Sequence, residues 1–259
     1  MTFVRHDITD LSKTLPLIKN HDVVVYMAAF TLPNSAKNPE DAIMINQYMA
    51  EITFDLCHRF DKPFCFMSTC SNYGRTEKLV DENGELFPIT IYAISKVNAE
   101  EYMLSKKFDK LTILRCATAY GVSPGRTRWD VLVNEFVKTA IDKKLIDIFQ
   151  PQSHRPVCHV LDISYAIQLA IERKQDSTKV YNVGSNDQNY TKKQLAESIA
   201  KYCNSEITQV EKEDKRDYQV DFSKISKELG FVAKHKVDEK TIKEISTNYK
   251  NHKVLQKIS

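Results

Sequence analysis

Three side chains in this 259-residue sequence have the types and spacing needed to move a proton together with a hydride. Tyr92-Ala93-Ile94-Ser95-Lys96 places a phenol and an ammonium at i and i+4, about one turn apart on one helix face. A cation at that distance favours phenolate over phenol and lowers the tyrosine pKa toward neutrality. Such a tyrosine can take the proton of a substrate hydroxyl while hydride leaves the same carbon. By itself, Y-x-x-x-K equally describes a surface pair in a lysine-rich protein. Ser68-Thr69 changes the weighting, because it closes an apolar run of strand length. In open α/β sheets the ligand crevice lies at the carboxyl ends of the strands. From there the Thr69 hydroxyl can bond the substrate oxygen that Tyr92 deprotonates. The competing reading of Thr69 is a strand-end hydroxyl that satisfies a nearby backbone group.

These residues must be positioned by an alternation of strands and helices. Apolar runs of strand length alternate with helical patterns throughout, which predicts βαβ units and a parallel sheet. Phe3-Val4 reads as a short strand, closed by Asp7-Ile8-Thr9-Asp10. A helix over 11–19 follows, then a strand over 22–29 whose near-continuous apolar character fits burial on both faces. A loop from Thr31 to Asn38 leads to a long helix over about 39–59. The strand at 63–67 delivers Ser68-Thr69, and a helix from 92 to about 107 carries Tyr92 and Lys96. A strand at 111–115, a polar loop to Arg128 and a helix over 129–143 come next. Extended runs at 157–160 and 179–183 flank a helix that begins near Asp162. A capped helix spans 191–202, and the polar tail beyond Asn204 holds one more helical stretch near 223–229.

Composition removes several function classes. Only 6 glycines occur, none before Gly74, so neither G-x-G-x-x-G nor a P-loop is present. Lys+Arg of 37 against Asp+Glu of 34 gives +3, too balanced for nucleic-acid binding. The lysine-rich stretch 192–257 reads as a set of solvated helix faces. The 6 cysteines include no C-x-x-C pair, so no zinc site is expected and no metal is assigned. No apolar run approaches the length of a membrane span, and a reduced cytoplasm is the expected compartment.

In family order, the segments resemble the extended short-chain dehydrogenase/reductases, the NAD-dependent epimerase/dehydratase group acting on nucleotide sugars. Residues 22–29, DVVVYMAA, resemble the D-x-V-x-H-x-A-A strand, and 68–74, STCSNYG, resemble S-[ST]-x-x-x-Y-G. Leu114 to Gly121 resembles L-R-x-x-x-x-y-G, and Arg155 to Asp162 resembles R-x-x-x-H-V-x-D. The resemblance implies an α/β fold: a Rossmann-like parallel sheet with a smaller C-terminal substrate-binding lobe. It assigns 1–120 and 157–185 to the cofactor core, and 121–156 and 186–259 to the lobe. Thr69, Tyr92 and Lys96 become the catalytic set, with Lys96 also binding the cofactor ribose. Asp7 and Ile8 would contact the adenine of NAD, and Ala28 and Ala29 would pass beneath the cofactor. Thr118, Asn134, Arg155 and Arg216 would bind the nucleoside-diphosphate sugar, the two arginines at its diphosphate. Helices 39–59 and 92–107 correspond to those that pair in the family's homodimers.

Two departures sharpen the expectation. The 4,6-dehydratase branch carries Asp-Glu after the catalytic Thr, where this chain has Cys70 and Ser71. Neither can serve as the acid or base that removes water, so epimerisation or keto-sugar reduction is favoured over dehydration. The family also begins with two strand-helix units and a T-G-x-x-G-x-x-G turn. The sequence starts at what would be the third strand, which predicts an N-terminally truncated sheet with its first two strands missing. Phe3-Val4 would then lack a neighbour, and Val23 to Tyr26 would form an apolar edge strand. On this reading the rival to the enzyme is a non-catalytic remnant or interaction protein that binds no dinucleotide. A lesser rival is an NADP-dependent 4-keto-sugar reductase, since the residue that separates NAD from NADP belongs to the second strand.

Overall fold

The computed structural model describes residues 2–31, 34–123, 126–173 and 176–258. The expected loops at 31–38 and before Arg128 include Leu32, Pro33, Pro124 and Gly125, which lie outside the described residues. In chain order the elements are α1 (Leu11–Lys19), β1 (Val24–Tyr26), α2 (Asn34–Lys37), α3 (Pro39–Ile43), a π-helical turn (Met44–Tyr48), α4 (Met49–Arg59) and β2 (Phe64–Thr69). A 3₁₀ turn (Cys70–Tyr73) precedes α5 (Ile91–Leu104), β3 (Leu111–Cys116), β4 (Thr118–Tyr120), α6 (Leu132–Lys143) and β5 (Leu145–Ile148). The chain continues through β6 (His154–His159), α7 (Val160–Glu172), β7 (Lys179–Val183), β8 (Asn189–Thr191), α8 (Lys192–Cys203), β9 (Glu206–Gln209), α9 (Ser223–Leu229) and α10 (Glu239–Ile258).

The chain divides into two compact units. The first comprises 1–74, 84–115 and 167–181; the second comprises 75–83, 116–166 and 182–259. In the first unit the strand order is β1-β2-β3-β7, with β1 and β2 parallel and Val25 opposite Cys65. Alternating strand and helix build this unit as the periodicity predicts, and β2 is buried along almost its whole length. Its core joins Phe54 of α4, Phe64 and Phe66 of β2, Met103 of α5, and Leu111 and Ile113 of β3. Phe54 meets the edges of Phe64 and Phe108 at 5.6 and 5.7 Å.

The amino end departs from expectation. Phe3-Val4 is no strand: the segment is irregular, with Phe3 85% exposed. Extended backbone without a strand beside it leaves its N–H and C=O groups to water, so two apolar residues cannot hold it. Only Val24–Tyr26 of the expected 22–29 run is a strand, and it forms the sheet's edge, as expected. The long helix over 39–59 is present, but with a π turn in its middle. The helix expected to reach Lys107 ends at Leu104, where Ser105 N–H bonds to Glu101 O and Lys106 N–H to Met103 O.

The second unit contains a three-stranded sheet ordered β4-β6-β8 and a two-stranded parallel pair, β5 with β9. Within the first of these, β4 and β6 are parallel, while β6 and β8 are antiparallel with Arg155 opposite Tyr190. Val133, Phe136 and Val137 of α6, Leu195 and Ile199 of α8, and Ile242 and Ile245 of α10 close one core. The 20-residue α10 is the largest element missed in the sequence. Its composition is dominated by polar residues, and among its described side chains Thr241, Ile242, Ile245, Ser246 and Tyr249 are the buried ones. That sparse i, i+3, i+4 stripe is weak in a lysine-rich tail. Gly121 lies at φ +104°, and a Cβ there would stand 2.3 Å from the His159 ring. Only glycine fits both the backbone angle and the close approach.

Candidate active site

Thr69 is the last residue of β2, and the chain leaves it in an extended conformation to enter the 3₁₀ turn. Its Oγ1 accepts the Ser71 backbone N–H at 3.1 Å, so the hydroxyl hydrogen is directed elsewhere. Thr69 therefore caps the turn, as the competing reading has it. Tyr92 and Lys96 sit one turn apart on α5, which starts because the Thr90 hydroxyl caps the Ala93 N–H at 3.2 Å. Tyr92 is half-buried. Lys96 is 1% exposed, donates to the Met67 carbonyl at 2.9 Å, and lies 4.5 Å over the Phe66 ring. The ammonium is thereby held against the strand that ends in Thr69. A desolvated cation exerts a larger field on a phenol one turn away than a hydrated one does.

Beneath these groups lies a buried polar network absent from the sequence-based site. Glu100, one further turn along α5, accepts Arg115 Nε and Nη2 at 2.9 and 2.7 Å. Its other oxygen accepts the Ser68 hydroxyl and, at 2.8 Å, Asn72 Nδ2. Arg115 Nη1 also donates to the Tyr73 hydroxyl at 3.1 Å. Ser68 and Asn72 flank Thr69, so this one ion pair fixes the end of β2 and the following turn on α5. Glu100 extends the Tyr92–Lys96 spacing by four residues, which was the available signal for it. Nothing in the sequence paired it with Arg115.

Asn46 is a second missed residue. It lies in the π turn, fully buried, and clamps Phe30 by accepting its N–H at 2.8 Å and donating to its carbonyl at 3.0 Å. It also donates to Ser95 Oγ on α5 at 3.0 Å. A π turn rotates one residue out of the helical ladder, and here the displaced position carries the clamp.

The remaining sequence-predicted residues fall in both units. In the first unit, Asp7 is exposed, and the Thr9 backbone and hydroxyl hydrogen bonds hold its carboxyl below the usual range. Ile8 and Ala28 pack partly buried against the core, and Ala29 is half-buried just beyond β1. In the second unit, Thr118 opens β4, half-buried. Asn134 commits its amide to the backbone: it accepts Gly121 N–H at 3.0 Å and donates to Gly121 O and Arg128 O at 2.9 and 2.8 Å. Arg155 on β6 and Arg216 both bind Asp214, at 2.7 and 2.8 Å. Lys192, expected on a solvated face, is instead 2% exposed and joins the same carboxylate at 3.4 Å. The sequence signal there was only the helix cap, because a buried and a solvated lysine look alike in a lysine-rich run.

Among the described residues, no group of three His, Cys, Asp or Glu side chains is placed to hold a metal ion. No helix among them is long and apolar enough to cross a membrane.

Comparison with known proteins gives the family and the fold. A dTDP-glucose 4,6-dehydratase of Actinoplanes sp. is 26% identical over 244 residues, covering 89% of this chain and 74% of that protein. An uncharacterized UDP-glucose epimerase of Bacillus subtilis is 28% identical over 125 residues, which is 47% of this chain and 39% of that protein. The chain thus spans well under two thirds of the Bacillus relative. Among solved structures, a Bacillus cereus UDP-glucuronic acid 4-epimerase in complex with UDP-glucuronic acid and NAD superimposes with a TM-score of 0.84. Its identity is 23%, and the match covers 97% of this chain and 82% of that one. That likeness shows a Rossmann-like α/β fold. The model of the NAD dependent epimerase/dehydratase family matches residues 1–184, and the chain belongs to that family.

Proposed function

We propose that the protein oxidises a ring carbinol of a nucleoside-diphosphate sugar and re-reduces it as an epimerase, or runs the reductive half on a keto-sugar. The observation that supports this best is the grouping of Thr69, Tyr92 and the buried Lys96 on β2 and α5. Bound NAD would supply the hydride acceptor and donor. Tyr92 takes the sugar hydroxyl proton onto its phenolate oxygen and returns it at the end of the cycle. Thr69 donates a hydrogen bond to the same sugar oxygen. Lys96 holds the nicotinamide ribose and favours the ionised phenol. Asp7, Ile8, Ala28 and Ala29 would receive the adenine side. The residues present fit the ribose and adenine contacts, and no glycine-rich turn for the pyrophosphate occurs before Gly74. In the second unit, Arg155 and Arg216 suit a diphosphate because their planar forks can bind it bidentately. Asn134 serves by fixing the Gly121 backbone.

Cys70 argues against dehydration. It is fully buried and donates to the Arg115 carbonyl at 3.1 Å, so the position of a dehydratase acid is structural here. The test is incubation with NAD and UDP- or dTDP-glucose in deuterium oxide, read by mass spectrometry and NMR. Epimerisation yields the C4 epimer without solvent deuterium at C4, whereas elimination would place deuterium on the sugar. A 4-keto-sugar with NADH or NADPH tests the reductive half. Absence of cofactor binding and of any sugar conversion in both arms would overturn the reading.

The assembly follows the same reading. Met44, Tyr48 and Ile52 expose an apolar stripe at four-residue spacing, 44%, 48% and 37% exposed, and Ile94 and Leu104 do so on α5. These faces suit pairing of α3–α4 and α5 with a second copy into a homodimer. Ile52→Asp is expected to convert a dimer into a monomer in sedimentation velocity, because it buries a charge in an apolar interface. A wild-type monomer at micromolar concentration would refute the pairing.

A further inference from the structure

The second unit contains a charge cluster that is unbalanced for its degree of burial. Three cations, Arg155, Lys192 and Arg216, converge on the single carboxylate of Asp214, leaving a net charge of +2. Arg155 Nη2 lies 2.7 Å, Arg216 Nη2 3.0 Å and Lys192 Nζ 3.4 Å from the same Oδ2, while Arg216 Nε binds Oδ1 at 2.8 Å. The side chains of Arg155 and Lys192 are 5% and 3% exposed, and that of Asp214 is 10% exposed. Burying two like charges beside one counter-ion is costly, and proteins seldom do it without a further anion.

Lys192 adds a second anomaly. It is the first residue of the 12-residue α8, where the helix macrodipole is positive and disfavours a cation. Its ammonium also reaches the Phe149 carbonyl at 3.3 Å and lies 3.8 Å over the Phe149 ring. Burial, followed by repulsion from Arg155, pulls its pKa down to about 8 despite Asp214.

The four charges differ in how they are anchored. Arg155 belongs to the paired strand β6 and Lys192 to α8, whereas Asp214 hangs on an irregular, largely exposed segment, 210–216. A surface hollow of about 560 Å³ is lined by Gln150 and by Gln209 to Glu213, the residues leading directly into Asp214. Rotating Asp214 out requires movement of the loop that also carries Arg216, while Arg155 and Lys192 stay fixed on regular elements. A diphosphate in a nucleotide sugar carries about two negative charges, one more than the carboxylate it would replace.

We propose that Arg155, Lys192 and Arg216 form one seat for the diphosphate of a nucleotide, and that Asp214 fills this seat as an internal counter-ion which the diphosphate displaces. The inference rests on the reading of Arg155 and Arg216 as diphosphate ligands, and it adds Lys192 as a third ligand and Asp214 as the competitor. Charge neutralisation by a movable carboxylate keeps the empty seat folded, and its removal on binding costs part of the intrinsic affinity.

The experiment is calorimetric titration of the full chain with UDP and dTDP, in wild type, Asp214→Asn, Lys192→Met and Arg155→Met. Asp214→Asn is expected to bind the better nucleotide at least fivefold more tightly, and Lys192→Met at least tenfold more weakly. Asp214→Asn also leaves buried cations unneutralised, so thermal melts accompany the titration: the nucleotide should raise the Tm of Asp214→Asn by more than that of wild type. Equal or weaker binding by Asp214→Asn, with no larger shift in Tm, would overturn the displacement. Unchanged binding by Lys192→Met would remove Lys192 from the seat. Unchanged binding by Arg155→Met, or no binding of either nucleotide to wild type, would instead overturn the diphosphate reading itself.

Discussion

Tyr92→Phe is expected to lower turnover of the nucleotide sugar by about 10²–10⁴-fold while leaving nucleotide binding unchanged. The substitution removes one hydroxyl from a half-buried ring on α5 and preserves its volume. A group that accepts a proton only as the carbinol is oxidised contributes to the transition state and not to the ground state, so kcat falls without a matching rise in KM. Lys96→Met should act in the same direction and move the rising, acidic limb of the pH profile to higher pH, because the phenol that must ionise loses its neighbouring cation. The pair of variants separates chemistry from folding: both should retain the wild-type far-UV spectrum and affinity for UDP. A Tyr92→Phe protein that turns over within fivefold of wild type would require a different base.

Glu100→Gln is expected to destabilise the protein by about 3–5 kcal/mol, the cost of leaving one member of a buried ion pair alone. Arg115 is 4% exposed and Glu100 fully buried, so water cannot replace the lost charge. Burial by itself would push the Arg115 guanidinium toward neutrality, and the Glu100 charge and hydrogen bonds override that and keep it protonated. Urea unfolding followed by tryptophan fluorescence and circular dichroism measures the loss. The double variant Glu100→Gln, Arg115→Met should recover much of it, since no unpaired charge remains. A single variant that loses less than about 1 kcal/mol would show that the pair does not hold the β2 turn. Because Ser68 and Asn72 hang on the Glu100 carboxylate, the single variant should also lose Thr69 alignment, and with it rate beyond the loss of folded protein.

The comparison of sequence with structure separates two kinds of information. Helix α1, strand β7 and helix α9 lie at the residues expected, because each is short, bounded by turn or capping residues, and governed by local periodicity. The helix cap expected at Thr191 is present and takes the form of a capping box, with the Gln194 N–H on Thr191 at 3.2 Å and the Thr191 N–H on Gln194 at 2.8 Å. Phe3-Val4 failed as a strand because strand formation depends on a neighbour that local sequence does not specify. Lys192 failed as a surface residue for a related reason: burial of a lysine depends on Asp214, 22 residues away, and on Arg155, 37 residues away in the other direction.

Sequence alone determined that Thr69 closes one strand and that Tyr92 and Lys96 lie on successive turns of one helix. Strand alternation and the i, i+4 rule are local geometry, and local geometry is written in consecutive residues. Tertiary structure decided what surrounds them: the ion pair of Glu100 with Arg115, the Asn46 clamp on Phe30, and the three cations on Asp214. Glu100 with Arg115 and Asn46 with Phe30 span 15 and 16 residues, and Arg155 reaches Asp214 across 59. Their existence depends on which faces pack together and how much water is excluded, and no spacing within a segment encodes that.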